Sequence, residues 1–266
     1  MENTKYILGI GINYIGFGDN FELFGCINDV NAVLKYWIET LDYKFYLRLT
    51  DYNKSTPPTR ENILEALHFM TMSVPKDGDT VYIHYSGHGS QIMDRFSDEG
   101  LEEIIVPLNY KEFYKDEKTN TMKQKYIQDD ELYEILVEKS KKNIKIRVLF
   151  DCCHSATSID LAIQYNYNMK KDSIEKVMIS TNPSNQDIIY IGACDDSQTS
   201  NDVLDKSTSD SFGLFTNTMI NTLRSTNNMI SWRELLRILT VKCADFQQKP
   251  FISSERELDL DQRVDF

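Results

Sequence analysis

Short apolar runs alternate with amphipathic stretches along this chain, and that alternation restricts the fold more than any other feature. Residues 6–13, 45–49, 80–86, 144–150 and 188–193 are rich in β-branched and aromatic residues and end on turn formers, so each predicts a strand. Between them lie helical stripes. Val30, Val33, Leu34, Trp37, Ile38 and Leu41 share one face, with Asn28 or Asp29 as the cap, and Thr59 opens a second helix carrying Ile63, Leu64, Leu67 and Met70. A third helix starts at Asp129-Asp130-Glu131, and residues 212–223 and 231–244 predict two more, the last with a capping box from Ser231 to Glu234. Residues 103–106 add a short strand, 110–126 read as a polar surface loop, and 164–186 read as a mobile connection. The expected fold class is α/β, a sandwich with a largely parallel central sheet flanked by helices, in a single domain over 1–266.

Composition narrows the function. With 41 Asp+Glu against 29 Lys+Arg the 266 residues carry a net charge of −12, which excludes a broadly basic surface for nucleic acid or anionic membrane. No apolar run approaches the roughly 20 residues that a membrane helix needs. The start, Met1-Glu2-Asn3-Thr4-Lys5, lacks a signal-peptide pattern, and the five cysteines at 26, 152, 153, 194 and 243 are an odd number, so a reducing, cytoplasmic setting is expected.

In an open α/β sheet, ligands gather outside the carboxyl ends of the strands. Two of those ends carry reactive groups: Gly87-His88-Gly89 after one strand, and Asp151-Cys152-Cys153-His154 after another. A thiol attacks a carbonyl as thiolate, so it needs a base for its proton and donors for the oxyanion. His88 and one of the adjacent cysteines meet the first need, and neighbours in sequence point apart, which favours distant His88 over His154 as the partner. The plainer alternative is that the two cysteines are small buried hydrophobes and His88 a turn residue. Zinc lacks a second spaced ligand pair, and adjacent thiols lack the C-x-x-C spacing of redox sites. Gly9-Ile10-Gly11 after the first strand fails the dinucleotide fingerprint, because Tyr14 stands where the third glycine belongs.

Residues 84–91 (His-Tyr-Ser-Gly-His-Gly-Ser-Gln) together with 151–156 (Asp-Cys-Cys-His-Ser-Ala) resemble the metacaspases, cysteine peptidases of caspase-like fold. The blocks at 9–14, 25–29, 58–62, 105–107, 192–200 and 253–260 follow the same family order, so the resemblance covers almost the whole chain. It implies a caspase-like three-layer sandwich, with a larger part over about 1–165, a connecting loop over about 166–186 and a smaller part over about 187–266. The chain resembles the core of a type I enzyme without its prodomain. The resemblance further implies Cys153 as nucleophile, His88 as acid/base, and the amides of Gly89 and Cys153 as oxyanion hole. Cys26, Asp29, Ser86 and Asp151 correspond to an acidic pocket for Arg or Lys, where two carboxylates facing a guanidinium give charge-assisted hydrogen bonds. Calcium (Ca2+) is the implied activator, with Asp129, Asp130, Asp160 and Glu102 or Glu103 as oxygen ligands. Self-cleavage is expected after one of Lys170, Lys171, Lys176 or Lys206. Ala156 replaces the family's usual Gly. The expected partners are protein or peptide substrates, acted on by a monomer, and the rival expectation is a catalytically weak scaffold of the same fold.

Overall fold

The computed structural model describes residues 3–18, 20–93, 101–152, 159–192, 202–204, 211–246 and 248–266. In chain order the first strands are β1 (Lys5–Gly11), β2 (Phe45–Thr50), β3 (Thr80–Ser86), β4 (Gly89–Ile92), β5 (Glu102–Ile105), β6 (Phe113–Asp116), β7 (Thr121–Gln124) and β8 (Ile127–Gln128). They continue with β9 (Lys145–Asp151), β10 (Ile163–Asn168), β11 (Ser173–Met178), β12 (Asp187–Gly192), β13 (Asp202–Leu204), β14 (Ser211–Gly213) and β15 (Phe251–Ser254). The helices are α1 (Cys26–Leu41), α2 (Arg60–His68), α3 (Asp129–Tyr133), α4 (Leu214–Ser225) and α5 (Trp232–Cys243).

Eight strands form one sheet in the order β11-β10-β15-β12-β9-β3-β1-β2. The run from β12 to β2 is parallel, and β15, β10 and β11 extend it antiparallel on one side. Every residue of β3 is buried, as a central parallel strand covered on both faces must be. Successive residues therefore enter opposite cores. Val81 and Ile83 join Leu8, Ile10, Ile146 and Val148 against Ile63 and Leu67 of α2 and Leu132 of α3. Tyr82 joins Ile7, Leu149 and Ile189 against Trp37 of α1, Met219 of α4 and Leu239 of α5. Each such aliphatic side chain contributes about 1.5–3 kcal/mol by burial. The expected α/β caspase-like sandwich is what the chain forms.

The register sets up the site. Gly11 of β1 lies opposite Ser86 of β3, and Ser86 lies opposite Asp151 of β9, so three strand ends stand in one row at the carboxyl edge. Gly11 lets α1 cross them closely: a Cβ there would meet the Cys26 carbonyl oxygen at 2.7 Å.

Local expectations held at several elements and failed at three. Thr59 caps α2, accepting from the Asn62 amide at 3.3 Å, and Ser231 caps α5, accepting from the Glu234 amide at 3.3 Å. By contrast α1 starts at Cys26 with Gly25 as its cap and no side-chain capping bond, so neither Asn28 nor Asp29 caps it. Residues 110–126, expected as a loop, contain the β6–β7 hairpin, with Phe113 opposite Gln124. Residues 164–186, expected as a mobile connection, contain most of β10 and all of β11. The polar residues of β10 obscured its period, whereas Ile163 and Tyr165 go into the core. Among the described residues no helix is long and apolar enough to cross a membrane.

Candidate active site

Two buried carboxylates meet beyond the strand ends. Asp29 occupies the fourth position of α1 and is fully buried, and Asp151 ends β9 at 3% exposure. Asp29 accepts from the Ser86 hydroxyl at 2.8 Å and from the Gly213 amide at 2.8 Å. The Asp151 Oδ2 accepts from both the amide (3.0 Å) and the hydroxyl (2.8 Å) of Thr216 in the first turn of α4, where the helix dipole favours a negative charge. Gly213 sits between the two acids: a Cβ on it would fall 2.2 Å from an Asp151 oxygen and 2.7 Å from an Asp29 oxygen, so a side chain there would displace them. Cys26, one helical turn before Asp29, is buried on the same helix. Four expected pocket residues thus lie around the ends of β1, β3 and β9. A pair of buried like charges is costly alone and well matched to a bound cation with several donors.

His88 follows β3 and is held on all sides. Its amide donates to the Tyr14 hydroxyl (2.9 Å), and its carbonyl accepts from the Tyr85 hydroxyl (2.7 Å) and the Val106 amide (3.1 Å). Tyr14 in turn donates to the Val106 carbonyl at 2.6 Å. Burial keeps both phenols neutral by raising them well above their ordinary range. The ring Nε2 lies 2.8 Å from the Phe21 carbonyl oxygen. A carbonyl only accepts, so Nε2 carries the proton and Nδ1 is the basic nitrogen of the neutral ring. Tyr14 and Phe21 also contact the imidazole with their rings tilted by 35° and 48°, at centroid distances of 4.7 and 4.5 Å. Gly89 begins β4 and is half-buried. Cys153, His154 and Ala156 lie outside the described residues, which resume the account of this strand end at its neighbour, buried Cys152.

A second acidic group surrounds the start of α3. Asp129, Glu102 and Glu103 are buried, whereas Asp130 and Asp160 are exposed. Burial pushes the Asp129 carboxyl up to about 8, and the charges of Glu102 and Asp160 and a hydrogen bond with Glu103 act in the same direction. Among the described residues no three such side chains already converge on one point as metal ligands. Of the expected self-cleavage positions, Lys170 and Lys171 are exposed in the β10–β11 turn, Lys176 lies within β11 opposite Tyr165, and Lys206 is outside the described residues.

Sequence reasoning did not find Phe21, Thr216 or Gly213, and met Tyr14 only as a missing glycine. Phe21 acts through its backbone carbonyl, which no side chain advertises, and Gly213 and Thr216 lie 184 and 65 residues along the chain from their partners Asp29 and Asp151.

A sheet with five parallel strands, an antiparallel flank and a histidine fixed beyond β3, beside the strand end that leads into Cys152-Cys153, defines a caspase-like protein of the cysteine-peptidase class. The structure of Caspase-1 from Spodoptera frugiperda superposes with a TM-score of 0.52, covering 95% of this chain and 86% of that one at 14% identity, which supports the fold. The family description "Metacaspase, peptidase C14 domain" matches residues 5–162, and the chain therefore belongs to the metacaspases, a family of cysteine endopeptidases. Metacaspase-1 of Mycosarcoma maydis is 29% identical over 98% of this chain and 73% of its own length. Metacaspase-1B of Neurospora crassa is 36% identical over 59% of this chain, a match that spans 35% of that relative.

Proposed function

We propose that the chain hydrolyses peptide bonds after Arg or Lys through a Cys153–His88 dyad. The observation that carries this reading is the convergence of Asp29, Ser86 and Asp151 at the strand ends next to His88. Nδ1 of His88 takes the Cys153 thiol proton, and the Phe21 carbonyl stabilises the imidazolium through Nε2. The thiolate attacks the scissile carbonyl carbon, and the amides of Gly89 and Cys153 receive the oxyanion. Protonated His88 gives its proton to the leaving amine. The resulting acyl-enzyme is hydrolysed by water that His88 deprotonates. The substrate's guanidinium or ammonium rests between Asp29 and Asp151, whose carboxyl groups accept hydrogen bonds from Ser86, Gly213 and Thr216.

Calcium fits the second acidic group by donor chemistry. Asp129, Asp130, Asp160 and Glu102 or Glu103 offer hard oxygens, and burial together with the neighbouring carboxylates shifts the Asp129 carboxyl upward. Calcium would supply that positive charge and let Asp129 ionise. For self-processing, Lys170 and Lys171 are the better-supported positions. They lie in an exposed turn built on the Asn168 side chain, whereas the backbone of Lys176 is engaged in the sheet.

The test is hydrolysis of fluorogenic peptides ending in Arg, Lys or Asp, by the protein and its Cys153→Ala variant, with calcium or chelator. Calcium-dependent cleavage after Arg and Lys, abolished in the variant, is expected. Silence on every peptide, or activity that survives Cys153→Ala, would overturn the reading and favour a scaffold.

A further inference from the structure

The histidine's orienting carbonyl is itself supported from outside the sheet. Phe21 stacks on Tyr110 with ring centroids 5.0 Å apart and planes 20° from parallel. Tyr110 stacks in turn on Tyr126 (5.9 Å, 21°) and on Phe17 (6.0 Å, 29°). Tyr110 and Tyr126 are the two roots of the β6–β7 hairpin, so its base is closed by aromatic contact. Arg60 of α2 clamps the same hairpin. Its guanidinium lies over the Tyr114 ring at 4.1 Å, donates to the Tyr126 carbonyl at 3.0 Å and pairs with Glu131. The Arg60 amide donates to Asn109 Oδ1 at 2.9 Å, beside Tyr110.

These contacts form a continuous path from α2 to the base. Flat rings stacked in this offset manner resist tilting, and a ring that cannot tilt keeps its own backbone in place. We propose that Tyr110 is a positioning residue: its ring fixes Phe21, and thereby the carbonyl that orients His88, so that the β6–β7 hairpin buttresses the catalytic histidine. The inference rests on the dyad reading above and assigns a task to residues 110–126, which no reacting group occupies.

Two readouts separate this task from plain stability or substrate contact. Steady-state hydrolysis of an Arg peptide gives kcat and KM. Alkylation of Cys153 by iodoacetamide, followed by mass spectrometry across pH, reports the thiolate–imidazolium pair without any peptide substrate. Tyr110→Ala is expected to lower kcat about tenfold with KM within about twofold, because the loss falls on the base and not on binding. Its alkylation curve is expected to move up by about one pH unit, since an imidazolium deprived of its acceptor stabilises the thiolate less. Tyr110→Phe, which keeps the stack, should match the parent protein. If Tyr110→Ala does not fold, Tyr110→Leu, which fills the space without a flat ring, carries the same expectation.

A parent-like alkylation curve in the Ala or Leu variant would overturn the proposal, as would a change confined to KM or a Phe variant as impaired as Ala. A parent protein that cleaves nothing while its alkylation curve still depends on Tyr110 would overturn the peptidase reading and leave the buttress standing.

Discussion

At the scale of single residues, recognition and chemistry use different devices. His88 is oriented by a backbone carbonyl, whereas Asp29 and Asp151 are oriented by donors that arrive from α4 and β14. In the proposed pocket, replacing either carboxyl by its amide would remove one charge-assisted pair with the substrate. Asp29→Asn and Asp151→Asn should each cost about 2 kcal/mol, roughly thirtyfold in kcat/KM on Arg peptides, with the fold retained by melting temperature. Equal rates in both variants and the parent would remove the pocket from the account. Gly213→Ala tests the same geometry by bulk. Its Cβ would overlap an Asp151 oxygen, so kcat/KM on Arg peptides should fall at least as far as in the Asn variants.

At the scale of elements, β3 holds a hidden cost. His84 is completely buried, and among the described residues neither ring nitrogen has a hydrogen-bond partner. Burial pushes it down to about 3, well below the 6.5 of an exposed imidazole. A group depressed on folding contributes its stability above its unfolded value and loses it as pH falls, here through the window from 6.5 toward 3. His84→Leu should therefore lose less melting temperature than the parent between pH 7 and pH 4. Parallel losses would show that His84 is not part of the acid limb.

The same scale explains what the sequence did and did not disclose. Continuous apolar runs announced β1, β3, β9 and β12, because a strand buried on both faces is lined mostly by apolar side chains. β10 and β11 went unseen because their Gln, Asn, Ser and Lys residues face outward, and only the pairing of β10 with β15 and of β11 with β10 makes them strands. No residue of the β6 and β7 strands is fully buried, so no apolar run marked the hairpin in the sequence. Asp29 was legible as an acid of the site only through family order. Its spacing suggested a cap, and the true cap is Gly25, which has no side chain to betray it.

At the scale of the whole molecule, the proposed calcium site would link charge to stability. Asp129 is raised on folding, so its contribution to stability is complete below its unfolded value near 3.8 and is lost as pH rises through about 8. Without metal the melting temperature of the parent should fall between pH 5 and pH 8 relative to Asp129→Asn, and added calcium should restore the parent alone at pH 8. A calcium response equal in both proteins would contradict the proposed ligand set. β11, at the sheet's outer antiparallel edge, carries Glu175 and Lys176, charges of the kind that disfavour edge-to-edge pairing, beside exposed Val177 and Met178. Sedimentation should return a monomer of 31.0 kDa, and a dimer would reassign that edge.

The central claim is that Cys153 attacks substrates whose basic side chain rests between Asp29 and Asp151. It is tested most directly by labelling the parent and Asp151→Asn proteins with matched Arg- and Asp-based chloromethyl ketones, then locating the adduct by peptide mass spectrometry. The account predicts one adduct, on Cys153, formed quickly by the Arg reagent in the parent, slowly in Asp151→Asn, and barely at all by the Asp reagent. An adduct on another cysteine, or equal labelling by both reagents, would contradict it.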